Sequence, residues 1–256
     1  MTKKTVPISV VKIGGSTLGS DDTSLRDIVA QHGKDRRYIV VHGGGALISQ
    51  WLDQLNIETE FLDGLRVTSE SALEVVISVL RGIVNTSLVS EINSLGGRAV
   101  GLSGIDDQLI LAHQTDPKLG LVGKISQIRP EILMHLLSEQ YIPVVAPVGI
   151  APPTQALNIN ADTAAGEIAR AINAEELIFL TDVDGLQNKN GETLHLVDKR
   201  RIEELVSDGT LTGGMIPKTD ACLRAAEVGI KARIINGTKQ SALLSIESES
   251  NGTSVR

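Results

Sequence analysis

The sequence is poor in cysteine, and its composition excludes several classes of protein. Cys222 is the only cysteine among the 256 residues, so no disulfide can form within the chain. A single cysteine is compatible with a reducing compartment. Hydrophobic residues make up 41% of the chain and charged residues 21%. This balance is typical of a globular protein and excludes collagen, coiled coils and disordered chains.

The sequence also lacks an excess of basic residues. It contains 24 lysines and arginines against 31 aspartates and glutamates, which gives a formal net charge of −7. A nucleic-acid-binding protein normally carries a basic stripe, and none is visible here. We therefore expect no nucleic-acid partner. Any anionic ligand must be held by a few local cations and by backbone N–H groups.

Long hydrophobic runs are absent as well. The chain has no stretch of 18 or more consecutive apolar residues, and no apolar signal region precedes a cleavage site near its first residues. These absences predict no transmembrane helix and no membrane partner. The cytoplasm is the expected location.

Short β-branched runs alternate with longer amphipathic stretches along the chain. The predicted strands are 8–12, 37–42, 98–102, 142–146, 177–181 and 231–235. The predicted helices are 22–32, 45–55, 69–94, 129–139, 163–173, 198–207 and 217–228. This alternation predicts an α/β fold with a mostly parallel sheet. Ligands bind such sheets beyond the carboxyl ends of the strands, so the loops there are the expected place for chemistry.

One predicted helix differs from the others because its apolar residues, between 68 and 93, cover more than one face. A helix that is apolar on several faces needs several neighbours. A central core helix would satisfy this need, and so would a helix that meets a second subunit about a two-fold axis. The helix alone leaves both alternatives open.

Two glycine-rich loops follow predicted strands: KIGGS at 12–16 and HGGG at 42–45. Glycines there let backbone N–H groups approach an anion, and the following helix adds its positive end. Each loop alone could be only a tight turn, but two in one sheet, one of them carrying Lys12, favour phosphate binding. Neither is a Walker A loop or a G-x-G-x-x-G fingerprint. His42 is interpreted as a loop hydrogen bonder.

The HGGG string also suits the oxyanion loop of an esterase. That interpretation requires a G-x-S-x-G nucleophile elbow. The nearest match, GLSG at 101–104, has the wrong spacing. An esterase is therefore set aside.

Four other segments carry polar residues at strand ends or helix starts. In DGLRVT at 63–68, Arg66 suits capture of a carboxylate. Taken alone, this segment is better explained by a solvated arginine followed by a helix cap at Thr68 or Ser69. In NINAD at 158–162, polar residues at every second position predict one polar side of an extended segment, or a cap at Asp162. TDVDG at 181–185 is either an Asp-Gly turn or part of a ligand site. GGMIPK at 213–218 places Lys218 at the start of a predicted helix, where its positive charge opposes the helix dipole.

Taken together, these segments resemble the amino acid kinase family, and most closely its acetylglutamate branch. The resemblance covers nearly the whole chain, from KIGG at 12–15 to NGT at 251–253. It implies a three-layer α/β sandwich around a mostly parallel central sheet, in one continuous kinase domain. Within it, residues 1–174 would form the amino-acid-binding and dimerisation lobe, and residues 175–256 the nucleotide-binding lobe.

The resemblance further implies transfer of the γ-phosphoryl group of ATP to the side-chain carboxylate of N-acetyl-L-glutamate, in arginine biosynthesis. A carboxylate is already a nucleophile, so catalysis needs positioning and charge neutralisation rather than a general base. By motif, Lys12 and Lys218 would stabilise the transition state, and Asp162 would hold both lysines in place. Magnesium is expected to arrive on the phosphates, because the sequence shows no cage of carboxylates.

The same resemblance assigns the binding residues. Gly44 and Gly45 would offer N–H groups, Arg66 would bind the substrate α-carboxylate, and Asn158 and Asn160 would complete the amino-acid site. The residues expected to bind the nucleotide are Gly14, Gly15, Asp182, Val183, Asp184, Gly185, Leu186, Gln187, Thr210, Leu211, Thr212 and Gly214.

Two alternatives share this fold. One is a kinase of N-acetyl-aminoadipate, or of aminoadipate linked to a small acidic carrier protein, in lysine biosynthesis. A basic rim around the site would favour this alternative, and the net charge of −7 argues against it. A non-catalytic amino-acid sensor should lack one of the lysines, and both are present. Finally, arginine-inhibited family members carry an extra N-terminal helix, and few residues precede the first predicted strand. Little inhibition by arginine is therefore expected, and so is a homodimer formed through helix 69–93.

Overall fold

The computed structural model describes residues 6–14, 23–114, 116–244 and 251–256. The strands, in chain order, are β1 (Ile8–Ile13), β2 (Arg37–His42), β3 (Phe61–Leu62), β4 (Leu65–Arg66), β5 (Ala99–Ser103), β6 (Ile110–Gln114), β7 (Gly123–Ile128), β8 (Ile142–Ala146), β9 (Val148–Ala151), β10 (Gln155–Asn158), β11 (Glu176–Thr181), β12 (Leu196–Val197), β13 (Lys231–Asn236) and β14 (Thr253–Val255). The α-helices are α1 (Ser24–Gln31), α2 (Gly45–Gln54), α3 (Glu70–Ile77), α4 (Asn85–Ser94), α5 (Glu131–Ser138), α6 (Ala161–Ala171), α7 (Lys199–Ser207) and α8 (Met215–Ala226).

The largest sheet has eight strands in the order β12-β14-β13-β11-β1-β2-β8-β5. The six strands from β13 to β5 pair in parallel, and β14 joins them antiparallel to β13. Each of these six corresponds to one of the strands predicted from the sequence. The predicted α/β fold with a mostly parallel central sheet is confirmed.

Helices cover both faces of this sheet. Successive residues of a strand point to opposite faces, so Val10 belongs to one hydrophobic core and Val11 to the other. Residues of α5, α6, α7 and α8 complete the first core, and residues of α1, α2, α3 and α4 complete the second. The predicted three-layer sandwich is therefore observed. Because β1 pairs with β11, the sheet is continuous across residue 174, and the division into two lobes stays a prediction.

A second sheet of four strands, in the order β10-β9-β6-β7, and a short β3–β4 hairpin are absent from the sequence-based prediction. These strands are short and several are half exposed, as the burial along β7 shows. Such strands lack the continuous apolar runs that mark buried parallel strands. They form because distant segments pair, for example Leu111 with Ile150.

Helices α3 and α4 form one long helix, Glu70–Ser94, joined by a π-helical segment at Ser78–Val84. Of the apolar residues from Ala72 to Ile92 only Ile83 is exposed, and the rest are buried or partly buried within the chain itself. The chain's own elements thus cover the faces from which a homodimer was inferred, and the homodimer stays a prediction. By length and composition this helix could cross a membrane, but half of its most apolar stretch is buried inside the structure.

The carboxyl ends of β1, β2 and β11 lie side by side, because these strands are parallel neighbours. Helices α2, α6 and α8 begin at this edge, at Gly45, Ala161 and Met215. Strand ends and helix N-termini therefore converge where the sequence predicted chemistry. Residues 1–5, on which the expectation about an N-terminal helix rests, lie outside the described residues.

Candidate active site

Two lysines and one aspartate form a buried ionic cluster at this edge of the sheet. Lys12 Nζ lies 2.8 Å from Asp162 Oδ1. Lys218 Nζ lies 3.1 Å from each of the two oxygens of the same carboxylate. The three residues expose 9%, 6% and 6% of their surface, in the order Lys12, Asp162 and Lys218. Lys12 and Asp162 are 150 positions apart in the sequence, and Asp162 and Lys218 are 56 apart. The fold brings both pairs into direct contact.

Each member of this cluster is held by a different element. Lys12 lies in the central strand β1, where its backbone pairs with β2 and β11. Asp162 lies in the first turn of α6, where a negative side chain is favoured by the helix dipole. Lys218 lies in the first turn of α8, where a positive side chain is disfavoured. The carboxylate of Asp162 therefore compensates an unfavourable position of Lys218.

The cluster carries more positive than negative charge, because one carboxylate faces two ammonium groups. Burial opposes ionisation of Asp162, but Lys12 and Lys218 outweigh it and hold the pKa of this carboxyl below its ordinary value of 3.8. Burial lowers the pKa of Lys218 below its ordinary value, Asp162 opposes this, and Lys12 adds to the lowering. An anion placed between the lysines would neutralise the surplus charge.

Both phenylalanines of the chain lie beneath cations of the site. Lys218 Nζ is 4.9 Å from the ring centroid of Phe179, a fully buried residue of β11. Arg66 Cζ is 4.7 Å from the ring centroid of Phe61, which is 55% exposed. These are cation–π distances. The aromatic rings therefore help to fix two of the charged groups.

Two cavities meet at the ionic cluster, and both are lined by Lys12 and Asp162. The first, of about 450 Å³, opens at the loop after β2 and is called the β2 cavity. The second, of about 630 Å³, opens at the loop after β11 and is called the β11 cavity. Lys218 lines the β11 cavity. The arrangement places two ligand-sized spaces on either side of one set of charges.

The β2 cavity contains a buried arginine that retains free hydrogen-bonding capacity. Arg66 Nη2 donates to Gly45 O at 3.0 Å and to Ser49 Oγ at 2.8 Å. Its Nη1 is buried and has no hydrogen-bond partner among the described residues. A buried charged donor without a partner is costly unless a ligand satisfies it. The geometry therefore suits an anionic group of a small molecule.

Asn158 and Asn160, the two asparagines that line the β2 cavity, make different hydrogen bonds. Asn158 Nδ2 donates to Thr68 Oγ1 at 3.0 Å, and Thr68 Oγ1 donates to Arg66 O at 2.8 Å. Asn160 Oδ1 accepts from the backbone N–H groups of Asp162 and Thr163, so Asn160 is the N-cap of α6. The prediction of one extended polar segment through Asp162 was wrong, because the helix begins at residue 161. Asn158, Asn160 and Asp162 nevertheless all line the β2 cavity.

The β11 cavity contains most of the residues predicted to bind a nucleotide. The predicted residues that line it are Gly14, Asp182, Val183, Gly185, Leu186, Gln187, Thr210, Leu211 and Gly214. Asp184 and Thr212 are not among its lining residues. The carboxylate of Asp184 instead accepts from Asn236 at 2.7 Å and pairs with Lys239 at 2.7 Å, which holds its pKa below the ordinary value. Gly15 lies outside the described residues.

Several lining residues were not predicted from the sequence. They include Ser49, Phe61 and Leu80 in the β2 cavity and Leu180 and Asn188 in the β11 cavity, while Thr181 and Met215 lie in segments that the sequence had singled out. Thr68, treated in the sequence as a possible helix cap, is fully buried and links Arg66 to Asn158, while Ser69 caps α3. A buried threonine beside Arg66 carries no distinct sequence signal. Its role depends on residue 158, ninety positions away.

Within the described residues, no group of three or more His, Cys, Asp or Glu side chains is arranged to hold a metal ion. Asp162 is the carboxylate nearest the junction of the cavities, and both of its oxygens accept from lysines. These side chains therefore do not provide a metal cage.

Comparison with known proteins extends these observations. The model of the amino acid kinase family matches residues 7–236. The acetylglutamate kinase of Ruegeria pomeroyi is 44% identical over 241 residues, which span 93% of this chain and 84% of that protein. The acetylglutamate kinase of Campylobacter hominis is 43% identical over 235 residues, which span 90% of this chain and 83% of that protein.

Solved structures share the same architecture. The protein smu.665 from Streptococcus mutans superposes with a TM-score of 0.86 at 27% identity, covering 97% of this chain and 98% of that chain. An N-acetylglutamate synthase from Neisseria gonorrhoeae, complexed with coenzyme A and N-acetyl-glutamate, superposes with a TM-score of 0.85 at 21% identity, covering 97% of this chain and 59% of that chain. The second likeness concerns the fold alone.

Proposed function

The chain belongs to the amino acid kinase family, and on that premise we propose that it transfers the γ-phosphoryl group of ATP to the side-chain carboxylate of N-acetyl-L-glutamate. The products would be N-acetyl-L-glutamyl 5-phosphate and ADP, in arginine biosynthesis. The two relatives described above at 44% and 43% identity are acetylglutamate kinases, and this supports the choice of acceptor.

The observation that carries the proposal is the position of the lysine–aspartate cluster between the two cavities. ATP in the β11 cavity would direct its γ-phosphate toward Lys12 and Lys218, and the acceptor in the β2 cavity would meet it from the other side. The surplus positive charge of the cluster matches the negative charge on the transferred phosphoryl group.

The chemistry needs no general base, because the acceptor carboxylate is already ionised. One carboxylate oxygen forms a bond to the γ-phosphorus, and the bond from that phosphorus to the β,γ-bridging oxygen breaks, with its electron pair leaving on ADP. Asp162 accepts hydrogen bonds from both lysines and is held ionised, so it suits positioning them rather than removing a proton. Lys12 and Lys218 would stabilise the charge of the transition state.

We assign the acceptor to the β2 cavity. Arg66 would bind the α-carboxylate through Nη1, whose donors lack a partner among the described residues. Asn158 would contact the acetylamido group, and Gly44 and Gly45 would offer N–H groups near the reacting oxygens. Asn160 would act through its cap of α6, which sets the position of Asp162.

We assign ATP to the β11 cavity. Apolar side chains there, including Val183, Leu211 and Met215, suit the base, and the glycines near β1 and α8 leave room for phosphates. Magnesium would be bound mainly by the phosphates, since the described residues offer no carboxylate cage. Asp184 and Thr212 would act on the shape of the adjoining loops rather than on the nucleotide.

The test is an assay of ADP release with three acceptors at equal concentrations: N-acetyl-L-glutamate, L-glutamate and N-acetyl-L-aminoadipate. We expect the highest kcat/KM with N-acetyl-L-glutamate, and trapping of the product by hydroxylamine as a hydroxamate. Preference for N-acetyl-L-aminoadipate would instead place the enzyme in lysine biosynthesis. Binding of ATP and acceptor by calorimetry without ADP release would indicate a sensor.

The remaining expectations concern assembly and location. We propose a homodimer formed through helix 69–93, on which Ile83 is the exposed large apolar residue. Light scattering should give the mass of two chains, and Ile83→Glu should give one. A wild-type mass of one or six chains would contradict this assignment. The cytoplasm remains the proposed location, with no membrane and no nucleic-acid partner.

A further inference from the structure

His42, the last residue of β2, is fully buried beside the glycine-rich loop that lines the β2 cavity. Its Nδ1 lies 3.0 Å from Gly43 O. Its Nε2 lies 3.0 Å from Asn85 Nδ2, a fully buried amide at the start of α4. The proposed function assigns no task to either side chain.

The neighbours of Asn85 determine where the proton of His42 lies. Asn85 Oδ1 accepts from Arg81 Nη1 at 3.2 Å, and Nδ2 donates to Val144 O at 2.9 Å. The reversed amide would set oxygen against a carbonyl and NH₂ against a guanidinium, so its orientation is fixed. An amide nitrogen can only donate, and Nε2 of His42 must therefore accept. The imidazole is neutral, with its proton on Nδ1, and it donates to Gly43 O.

The charged groups near this imidazole favour the neutral form as well. Burial lowers the pKa of His42 to about 4, the contact with Gly43 opposes this, and Lys12 and Arg81 add to the lowering. Lys12 approaches from β1 and Arg81 from the π-helical segment. The ring therefore keeps the same hydrogen bonds throughout the neutral pH range.

The bond to Gly43 O fixes more than one atom. A peptide unit is planar and trans, so Gly43 C=O and Gly44 N–H belong to one rigid group and point in opposite directions. With Gly43 O held toward His42, Gly44 N–H must point away from it. Gly44 lines the β2 cavity, and its N–H has no hydrogen-bond acceptor among the described residues.

The glycine-rich loop after β2 is also packed tightly against the long helix. A Cβ at Gly44 would lie 2.8 Å from Leu80 Cδ2, a residue of the π-helical segment. A Cβ at Gly43 would lie 3.9 Å from Lys12 Nζ. The loop therefore runs between the long helix and the ionic cluster, and a rotated peptide would change the surroundings of the catalytic lysine.

We infer that His42 and Asn85 are positioning residues, which hold the Gly43–Gly44 peptide so that Gly44 N–H faces the reacting oxygens. Asn85 fixes the tautomer of His42, and His42 fixes the peptide. This inference rests on the proposed function, because its kinetic consequence is measured on the phosphoryl transfer.

Two substitutions separate positioning from simple packing. His42→Asn keeps a donor near the place of Nδ1, and His42→Gln keeps only the reach toward Asn85. We expect His42→Gln to lose about 100-fold in kcat, the scale of a misplaced active-site group, and His42→Asn to lose about 10-fold or less. The KM for ATP should stay near the wild-type value in both variants.

Kinetic values are normalised to the folded fraction, measured by circular dichroism, so that instability is not read as lost positioning. Equal kcat values for the two variants, or wild-type kcat in His42→Gln, would overturn the inference.

A measurement on the wild-type protein does not depend on activity. Long-range proton–nitrogen correlation NMR distinguishes protonated from unprotonated ring nitrogens, and the five histidines can be assigned with His42→Asn as reference. We expect a neutral ring with the proton on Nδ1. A proton on Nε2 would overturn the inference even if the enzyme is fully active. An inactive wild-type protein with the expected tautomer would instead overturn the proposed function.

Discussion

The two cavities share Lys12 and Asp162 but are built differently. The β2 cavity presents buried polar side chains, including Arg66 and Asn158, which are connected through Thr68. The β11 cavity is larger and presents apolar side chains, glycines and the turn after β11. One cavity is therefore organised by side-chain hydrogen bonds between distant segments, and the other by the backbone at strand ends.

This difference matches two kinds of ligand. A small acceptor with few atoms must be recognised by directed charged contacts, because it offers little surface to bury. A nucleotide offers a large base and several phosphates, so apolar contact and backbone N–H groups suffice. Substitutions in the β2 cavity should therefore act on the acceptor alone, those in the β11 cavity on ATP alone, and those at the shared cluster on the reaction itself.

The largest effect is expected at the shared carboxylate. Asp162→Asn would leave two buried ammonium groups without a counter-charge, and the free energy of unfolding should fall by about 3–5 kcal/mol. Urea denaturation monitored by circular dichroism measures this difference. Asp220→Asn serves as a control, because Asp220 is an exposed partner of Arg224 on the same helix as Lys218. A loss at Asp162 no greater than in the control would show that the cluster is not a buried unit.

The difference in stability between wild type and Asp162→Asn also depends on pH. The pKa of Asp162 is lower in the folded chain than its ordinary value of 3.8. Below 3.8 the unfolded chain binds the proton more readily, so the stability contributed by the cluster is present above this value and is lost as the pH falls. Denaturation curves between pH 7 and pH 3 should show the difference between wild type and Asp162→Asn becoming smaller below about pH 4. A constant difference would contradict the direction of the shift.

The second largest effect is expected for Lys218→Ala. If Lys218 acts mainly on the transition state, kcat should fall by about 10²–10³-fold, or about 2.7–4 kcal/mol, and both KM values should change far less. Steady-state kinetics with either substrate varied give these values. Lys231→Ala, at a lysine paired with Glu175 away from both cavities, is the control and should behave as wild type. Near wild-type kcat in Lys218→Ala would remove Lys218 from the mechanism.

A smaller effect, confined to one cavity, is expected for Arg66→Ala. The loss of a charged hydrogen bond costs about 1.5–3 kcal/mol, so the KM for N-acetyl-L-glutamate should rise by about 10- to 150-fold. The KM for ATP should change little. Arg66→Lys keeps the charge but not the planar fork, and should lie between wild type and Arg66→Ala. Equal weakening of both substrates would indicate a folding defect at the start of the long helix.

The smallest effect is expected in the β11 cavity. Val183 is 38% exposed and lines this cavity, so Val183→Ala removes little contact. A loss of about 1 kcal/mol of apolar contact would raise the KM for ATP by about fivefold and leave the KM for the acceptor unchanged. A larger effect on the acceptor than on ATP would reverse the assignment of the cavities.

The central sheet could be predicted from the sequence because its strands are short apolar runs between turn signals. Val10, Val40 and Val144 are buried in such runs. Parallel strands that are covered on both faces are apolar on both faces, so each appears in the sequence as one continuous apolar run. The second sheet could not be predicted in the same way. Its strands, such as Gly123–Ile128, are partly polar and exist only because distant segments pair with them.

The candidate site could be predicted where a motif and its backbone coincide. The lysine of KIGG and the glycines of HGGG lie at strand ends, and the fold brings those ends together. Contacts set by distant partners escaped prediction. Asp184, for example, contacts Lys239 and Asn236, which lie far along the chain. Nothing in the sequence singles out Asn85, because the polar residues Thr86 and Ser87 follow it directly.

The scarcity of phenylalanine gives this protein a natural pair of reporters. The chain has only two, one beneath Arg66 in the β2 cavity and one beneath Lys218 at the β11 cavity. Uniform incorporation of fluorophenylalanine would therefore place a single fluorine beside each cavity. The fluorine spectrum would contain two resonances, and each would follow the filling of its own cavity as one ligand or the other is titrated. Occupancy of both cavities could be read from one sample, with no mutation in the site.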